Sequence, residues 1–204
     1  RVDRRQRQMC IRDSNYTVRE FMGGSIEEPS YETLRVYGGF EVRRYGSTVQ
    51  ARLQTAGTGW NGTSNGFRRI ASYIFGGNHA GQMIAMTAPV QMWENDEGPM
   101  MSFTMPSEYS IGDLPDPLDP EIKLTEVKEH TVAVLSFSGL SRSGKARRLT
   151  TKLRSMAEAQ GLTPVGNPVL AVYDNPGTTL PFMRRNEIHP VSYTHLTLPT
   201  IYSV

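Results

Sequence analysis

Three methionines, Met83, Met86 and Met92, lie in the stretch QMIAMTAPVQM (residues 82–92), around a Thr-Ala-Pro turn. A thioether can ligate haem iron, and it also fills irregular gaps in a core. On a strand, Met83 and Met86 point to opposite faces, so both cannot reach one ring. The expectation is one methionine in the core and one or two lining an apolar pocket. Met100, Met101 and Met105 fit the same view. Three histidines outside the two end segments could also hold a metal. His79 stands in the glycine-rich GGNHAGQ and reads as an exposed loop residue. His130 reads as a surface residue at a strand start, and His189 lies close to the C-terminal segment. None forms an HxxxH or HxH pair, so no metal site is expected. Arg68 and Arg69 flank an apolar stripe. They either pair with the anionic groups of a ligand or form a solvated face. Glu187, inside RRNE, would serve as a general base only in a pocket that raised its pKa, facing a tyrosine such as Tyr45 or Tyr173. No GxSxG, Walker-type loop or dinucleotide fingerprint is present, so no catalytic residues are assigned.

The two ends carry a different message. Met9–Asp13 can be encoded as ATG TGT ATA AGA GAC, whose reverse complement reads Val-Ser-Tyr-Thr-His, the residues 191–195. Residues 1–14 and 191–204 are therefore read as translated sequencing adapter on an assembled, metagenomic fragment, and are excluded from fold reasoning. The leading segment holds five arginines against two aspartates. The whole 204-residue chain carries only +2, so the remainder is slightly acidic. A nucleic-acid partner is not expected. The single cysteine, Cys10, falls in the excluded segment. Disulfides, a thiolate ligand and a cysteine nucleophile go with it. No apolar run approaches a membrane span. A monomer of cytoplasmic location is the default, with any signal or transit peptide missing from the fragment.

Residues 15–190 suffice for one domain. FEVRRYGSTVQARLQ (residues 40–54) reads as strand, with Tyr45, Val49, Ala51 and Leu53 on one face. GWNGTSN reads as a loop. Phe67, Ile70, Ala71 and Ile74 then recur at helical spacing, capped by Thr63 or Ser64 and stopped at Gly76-Gly77. MIAMTAPVQMWE and MMSFTMP read as two β segments. After a Pro/Asp-rich connector the order repeats: KLTEVKEHTVAVLSFSG as a strand, then a helix with Ala146, Leu149, Leu153 and Met156 inward and Gly161 at its end. NPVLAVYDNP and RRNEIHPV follow as strands. This doubled β-α-β-β order, with pseudo-repeats at 29–105 and 123–190, indicates an α+β fold with one shared sheet system and two helices outside.

YETLRVYGGFEVRRYGSTVQARL, GFRRIASYIFGGN, MIAMTAPV, MPSEY and PFMRRNEI resemble, in order, the SOUL haem-binding protein family. The resemblance covers residues 31–189. It implies a distorted antiparallel β-barrel of about eight strands flanked by two helices, built from a tandem repeat. It also implies reversible binding of haem or another porphyrin, as carrier, buffer or sensor. Some members place a histidine where this chain has Arg44, which removes an axial ligand and leaves Arg44 to pair with a propionate or stay solvated. The pocket implied involves Arg44, Phe67, Arg68, Arg69, Met83, Met86 and Met92, with no strong axial ligand from the protein. RRNE is expected to close the barrel through Arg–carboxylate pairs, Glu108 being one partner. The same architecture also serves hydrolases and sensors of other small molecules, so both alternatives stay open.

Overall fold

The computed structural model describes residues 26–57, 60–175 and 177–190. The two segments read as adapter lie outside them. The strands are β1 (Tyr31–Tyr37), β2 (Phe40–Tyr45), β3 (Thr48–Gln54), β4 (Val90–Asn95), β5 (Gly98–Thr104), β6 (Lys123–Val127), β7 (His130–Ser138), β8 (Val169–Val172) and β9 (Arg185–His189). Helix α1 spans Trp60–Ile74 and α2 spans Ser143–Glu158. All pairings between these strands are antiparallel, in the order β1-β2-β7-β9-β8-β4-β5-β3-β6.

That order dictates the shape. β2 and β3 are joined by two residues but stand second and eighth in the sheet. Flat strands ~4.8 Å apart would separate them by roughly 29 Å. A two-residue link spans only about 10 Å. β6 and β7, also two residues apart, stand ninth and third. The sheet must therefore curl until its ends approach. Apart from β1 at one end, the order is also symmetric about the β8/β4 pair. The triplet β4-β5-β3 repeats as β8-β9-β7, and each half lends a strand to the other, β2 beside β7 and β6 beside β3. This is the expected α+β arrangement, with nine strands.

The apolar surface faces outward, under the helices. Val49, Ala51, Leu53, Met101 and Phe103 pack against Ile70, Tyr73 and Ile74 of α1. Phe40, Val42, Ala133, Leu135 and Ile188 pack against Leu153 and Ala157 of α2. The alternate positions carry Arg43, Gln50, Ser102, Thr104 and Glu187, all buried, toward the inside of the curl. Period-2 alternation thus separates an apolar outer layer from a polar inner one.

Several sequence readings need correction. Residues 40–54 form two strands rather than one. The Gly46-Ser47 link breaks the alternation, so Tyr45 packs with Val132 and Val134 and not with Val49, Ala51 and Leu53. Residues 123–139 likewise divide into β6 and β7. Helix α1 begins at Trp60, inside the stretch read as a loop. Its end is as expected: Gly76 takes φ +97° and the Gly77 N–H bonds Ser72 O at 2.8 Å, a left-handed cap. Residues 83–89 are not strand, because β4 starts only at Val90, so the alternation argument for Met83 and Met86 does not apply.

Candidate functional site

The inner face of the curl holds a buried charged cluster centred on Glu187 of β9. Ladder pairing brings β9 between β7 and β8, with Ser136 and Ala171 directly opposite Glu187. Arg43 reaches its carboxylate at 3.1 and 3.3 Å from β2. Ser136 donates at 3.1 Å and the Tyr173 hydroxyl at 2.6 Å. His189 Nε2 lies at 3.0 Å. Burial alone would raise the Glu187 pKa, but His189, Arg43 and Tyr173 together hold it at about 2. Tyr173 is driven well above the phenol range by burial and the Glu187 charge. Tyr45, beside Arg43, is pushed up to about 12, chiefly by burial. The cluster is thus a fixed carboxylate with its donors, at neutral pH and well below it.

Tyr45, Tyr173, His130 and His189 surround a gap of only about 30 Å³ at this cluster. Tyr45 stacks on His130 with centroids 5.7 Å apart and lies 5.3 Å from Tyr31. No slot of porphyrin size exists here. A larger cleft of about 540 Å³ adjoins it, lined by residues 27–30, 46–49, 104–107 and 109–111 among others. Glu27, Glu28 and Glu126 are on its wall, and no lysine or arginine is among its described lining residues.

The residues singled out for a porphyrin distribute differently. Arg44 is on β2, half exposed, 3.4 Å from Glu32 across the β1 ladder and 4.0 Å from Glu129. β2 is an interior strand, not an edge. Arg69 is held by Asp119 at 2.6 and 2.7 Å and by Glu121 at 2.6 Å. It ties α1 to the acidic connector. Arg68 is exposed and has no ion-pair partner among the described residues. Phe67 is partly exposed at 38%, its ring 5.3 Å from Phe103. Met86 and Met92 are half-buried against the α1 core, with Met101 and Met105 inside it. Met83 is exposed at 66%, next to Phe75 at 52%, with which it forms an isolated antiparallel bridge. The methionines are therefore mostly core, with Met83 alone of the three on the surface. Arg44 does not share the α1 surface, which packs on β3 and β5.

Other readings are also corrected. RRNE does make Arg–carboxylate pairs, but Arg185 pairs with Glu28 and Glu187 with Arg43, while Glu108 is exposed. His189 is a buried member of the Glu187 cluster rather than a marginal residue. Arg43 was missed beside Arg44. The signal was its phase: with Phe40 and Val42 facing α2, Arg43 falls with Tyr45 on the inner face. Asn78 was missed too. Its side chain bonds Tyr73 O at 3.1 Å, Gln82 O at 2.7 Å and the Gln82 N–H at 2.9 Å, which fixes the turn that carries Met83. His79 is exposed on the same turn. No cluster of three metal-ligating side chains occurs among the described residues. No described helix is long and apolar enough to cross a membrane.

A family model described as SOUL heme-binding protein matches residues 26–190. Heme-binding protein 2 of Homo sapiens is 32% identical over 132 residues, which are 61% of this chain and 64% of that relative. Heme-binding protein 2 of Mus musculus is 28% identical over the same shares. The chain thus spans just under two thirds of the curated relatives it matches. Among solved structures, the EcmrR C-terminal domain superposes with a TM-score of 0.58 at 10% identity, over 80% of this chain and 98% of that one. A hydrolase from Listeria innocua gives 0.50 at 12% identity, over 86% and 97%. At such identities the fold is shared and the chemistry is not transferred. With the family model spanning every strand and both helices, the chain belongs to the SOUL heme-binding protein family.

Proposed function

We propose that this protein binds haem or another tetrapyrrole reversibly, on the outer surface at the C-terminal end of α1 and not inside the curled sheet. The observation that carries this reading is the adjacency of exposed apolar side chains and a cation, Arg68, with no ion-pair partner among the described residues. Arg68 and Phe75 are seven residues apart, two helical turns, and so share a stripe ~10 Å long. The Phe75 N–H still bonds Ala71 O at 3.0 Å, so the helical path continues to it. Met83 lies beside Phe75. Large exposed apolar side chains grouped near a polar rim mark binding surfaces. A flat ring over Phe75 and Met83 would direct its propionates toward Arg68. Phe67 would extend the apolar contact. Arg69 and Arg44, already engaged by carboxylates, contribute little, and Met86 and Met92 support the surface from below.

The inner spaces suit a tetrapyrrole poorly. One is far too small, and the other presents carboxylates without a basic residue to meet propionates. A second exposed apolar group, Leu180, Phe182 and Met183, precedes β9. Its neighbouring arginines are committed, Arg184 to Thr179 O and Arg185 to Glu28.

A hydrolase reading through Glu187 is disfavoured. A carboxylate held near pKa 2 by four donor side chains is a weak base at neutral pH. Tyr45 and Tyr173, with raised pKa values, are no better as bases.

Titration with haemin and with metal-free protoporphyrin, followed by the Soret band and fluorescence quenching, tests the proposal. Without a strong axial ligand the two should bind within about tenfold of each other, roughly 1.4 kcal/mol. Arg68→Ala should weaken both about three- to tenfold, and His79→Ala neither. Haemin binding abolished by His79→Ala with protoporphyrin binding intact would show an axial histidine and refute the ligand mode.

A further inference from the structure

Helix α2 gathers positive charge in a molecule that is slightly acidic without its leading segment. Residues 142–157 contain six lysines and arginines and no carboxylate. Residues 175–186, which lead into β9, contain no carboxylate either. Two of the six cations are engaged by the fold. Lys145 Nζ donates to Ser138 O at 2.7 Å and lies 4.8 Å from the Phe137 ring, and Arg154 donates to Gly166 O at 2.8 Å. Arg142, Arg147, Arg148 and Lys152 are exposed and have no ion-pair partner among the described residues. The apolar stripe of α2, with Leu153 and Ala157, is buried against the sheet, so the basic face is turned to solvent.

An apolar tip stands beside the start of this helix. Ser138 of β7 pairs with Arg185 of β9, and the Asn186 side chain donates to Gly139 O at 3.0 Å. These contacts hold the lead-in to α2 against the residues that follow Met183. Pro181–Met183 form one 3-10 turn with no buried residue. Leu180 is 57%, Phe182 72% and Met183 65% exposed, and Leu140, in the lead-in itself, is 39% exposed. Apolar groups grouped in this way cost free energy in water and mark an interaction surface. Arg184 and Arg185 are committed elsewhere, so the free cations near this tip come from α2.

We propose that this side of the molecule docks on an anionic lipid membrane, with Leu180, Phe182 and Met183 entering the headgroup region and the cations of α2 lying over the lipid phosphates and carboxylates. A basic face that stays in water, next to apolar side chains that can leave it, fits a negatively charged bilayer surface. A nucleic-acid backbone would use the cations and leave the apolar tip in water. The surface is separate from the stripe with Arg68 and Phe75, because α1 packs on β3 and β5 while α2 packs on β7 and β9.

The full chain would be sedimented with vesicles of phosphatidylcholine alone and of an equimolar mixture with phosphatidylserine. Residues 1–14 bring five arginines of their own, so each comparison is between chains that share them. Binding should require phosphatidylserine and weaken as salt rises above about 0.15 M. The triple variant Arg147→Gln/Arg148→Gln/Lys152→Gln should bind on the order of 100-fold more weakly, at about fivefold for each cation. The double variant Phe182→Ser/Met183→Ser should bind at least about tenfold more weakly and keep the salt dependence of wild type. All five positions are exposed, so far-UV circular dichroism and the thermal midpoint should match wild type. Haemin affinity should match it too, which separates this proposal from the tetrapyrrole reading. Equal sedimentation with the two vesicle types, or wild-type binding by either variant, would overturn it. A DNA duplex bound as tightly as the phosphatidylserine vesicles, by wild type and by the double variant alike, would overturn it in favour of a nucleic-acid surface.

Discussion

Glu187 shows how a single buried charge is held and what its loss would do. Its carboxylate is 3% exposed and Arg43 7%. Replacing Glu187 by Gln leaves buried Arg43 with the part-exposed Glu41, 2.8 Å away, as counter-charge. Breaking one side of a buried pair costs at most roughly 3–5 kcal/mol, less here because Glu41 remains, and the loss should appear as a lower urea midpoint at pH 7. The pH dependence has a definite sign. The folded pKa, about 2, lies below the ordinary 4.5, so the unfolded chain binds the proton more readily. Stability from this group is complete above about pH 5 and is lost as pH falls through 4.5 toward 2. Wild type should therefore lose stability steeply over that window, and Glu187→Gln should lose less. Equal slopes would show that another group governs acid unfolding. Tyr173→Phe removes one donor to the same carboxylate and should cost about 1–2 kcal/mol, read from the same urea midpoints.

At the scale of elements, the fit between pattern and fold is uneven for physical reasons. The α1 stripe and its glycine stop were legible because helical spacing and a left-handed cap are local properties. The start of α1 was not, since WNGTSN has the composition of a loop. β1 was not read as a strand, and the extended stretch before Pro89 was. In both cases a partner strand decides the matter, and pairing across the sheet is not a local signal. The inner cluster was only partly visible. Glu187, Tyr45 and Tyr173 attract notice by type, but Arg43, Ser136 and His189 join them only through β2–β7–β9 pairing. Asn78 illustrates how such elements are joined. It closes the turn between α1 and Met83 with three hydrogen bonds. Asn78→Ala should cost about 1–3 kcal/mol and lower the thermal midpoint. It should also weaken porphyrin binding, because the turn positions Met83 beside Phe75. Retained stability with retained binding would mean that the turn holds without this side chain.

At the scale of the whole molecule, the curl turns its polar face inward and its apolar surface outward, and the proposed porphyrin site is on that outer surface. The two short links, Gly46-Ser47 and Lys128-Glu129, force the ends of the sheet together, and both helices cover the outer face. The most direct test uses the paramagnetism of ferric haemin. Amide signals of the ¹⁵N-labelled chain should broaden first around Arg68 and from Phe75 to Met83, with protoporphyrin shifting the same signals without broadening them. Signals near Tyr45, Thr104 and Tyr173 should remain sharp. Broadening centred on the inner residues, or on Leu180–Met183 instead of α1, would contradict the placement, and no saturable change with either ligand would contradict the function.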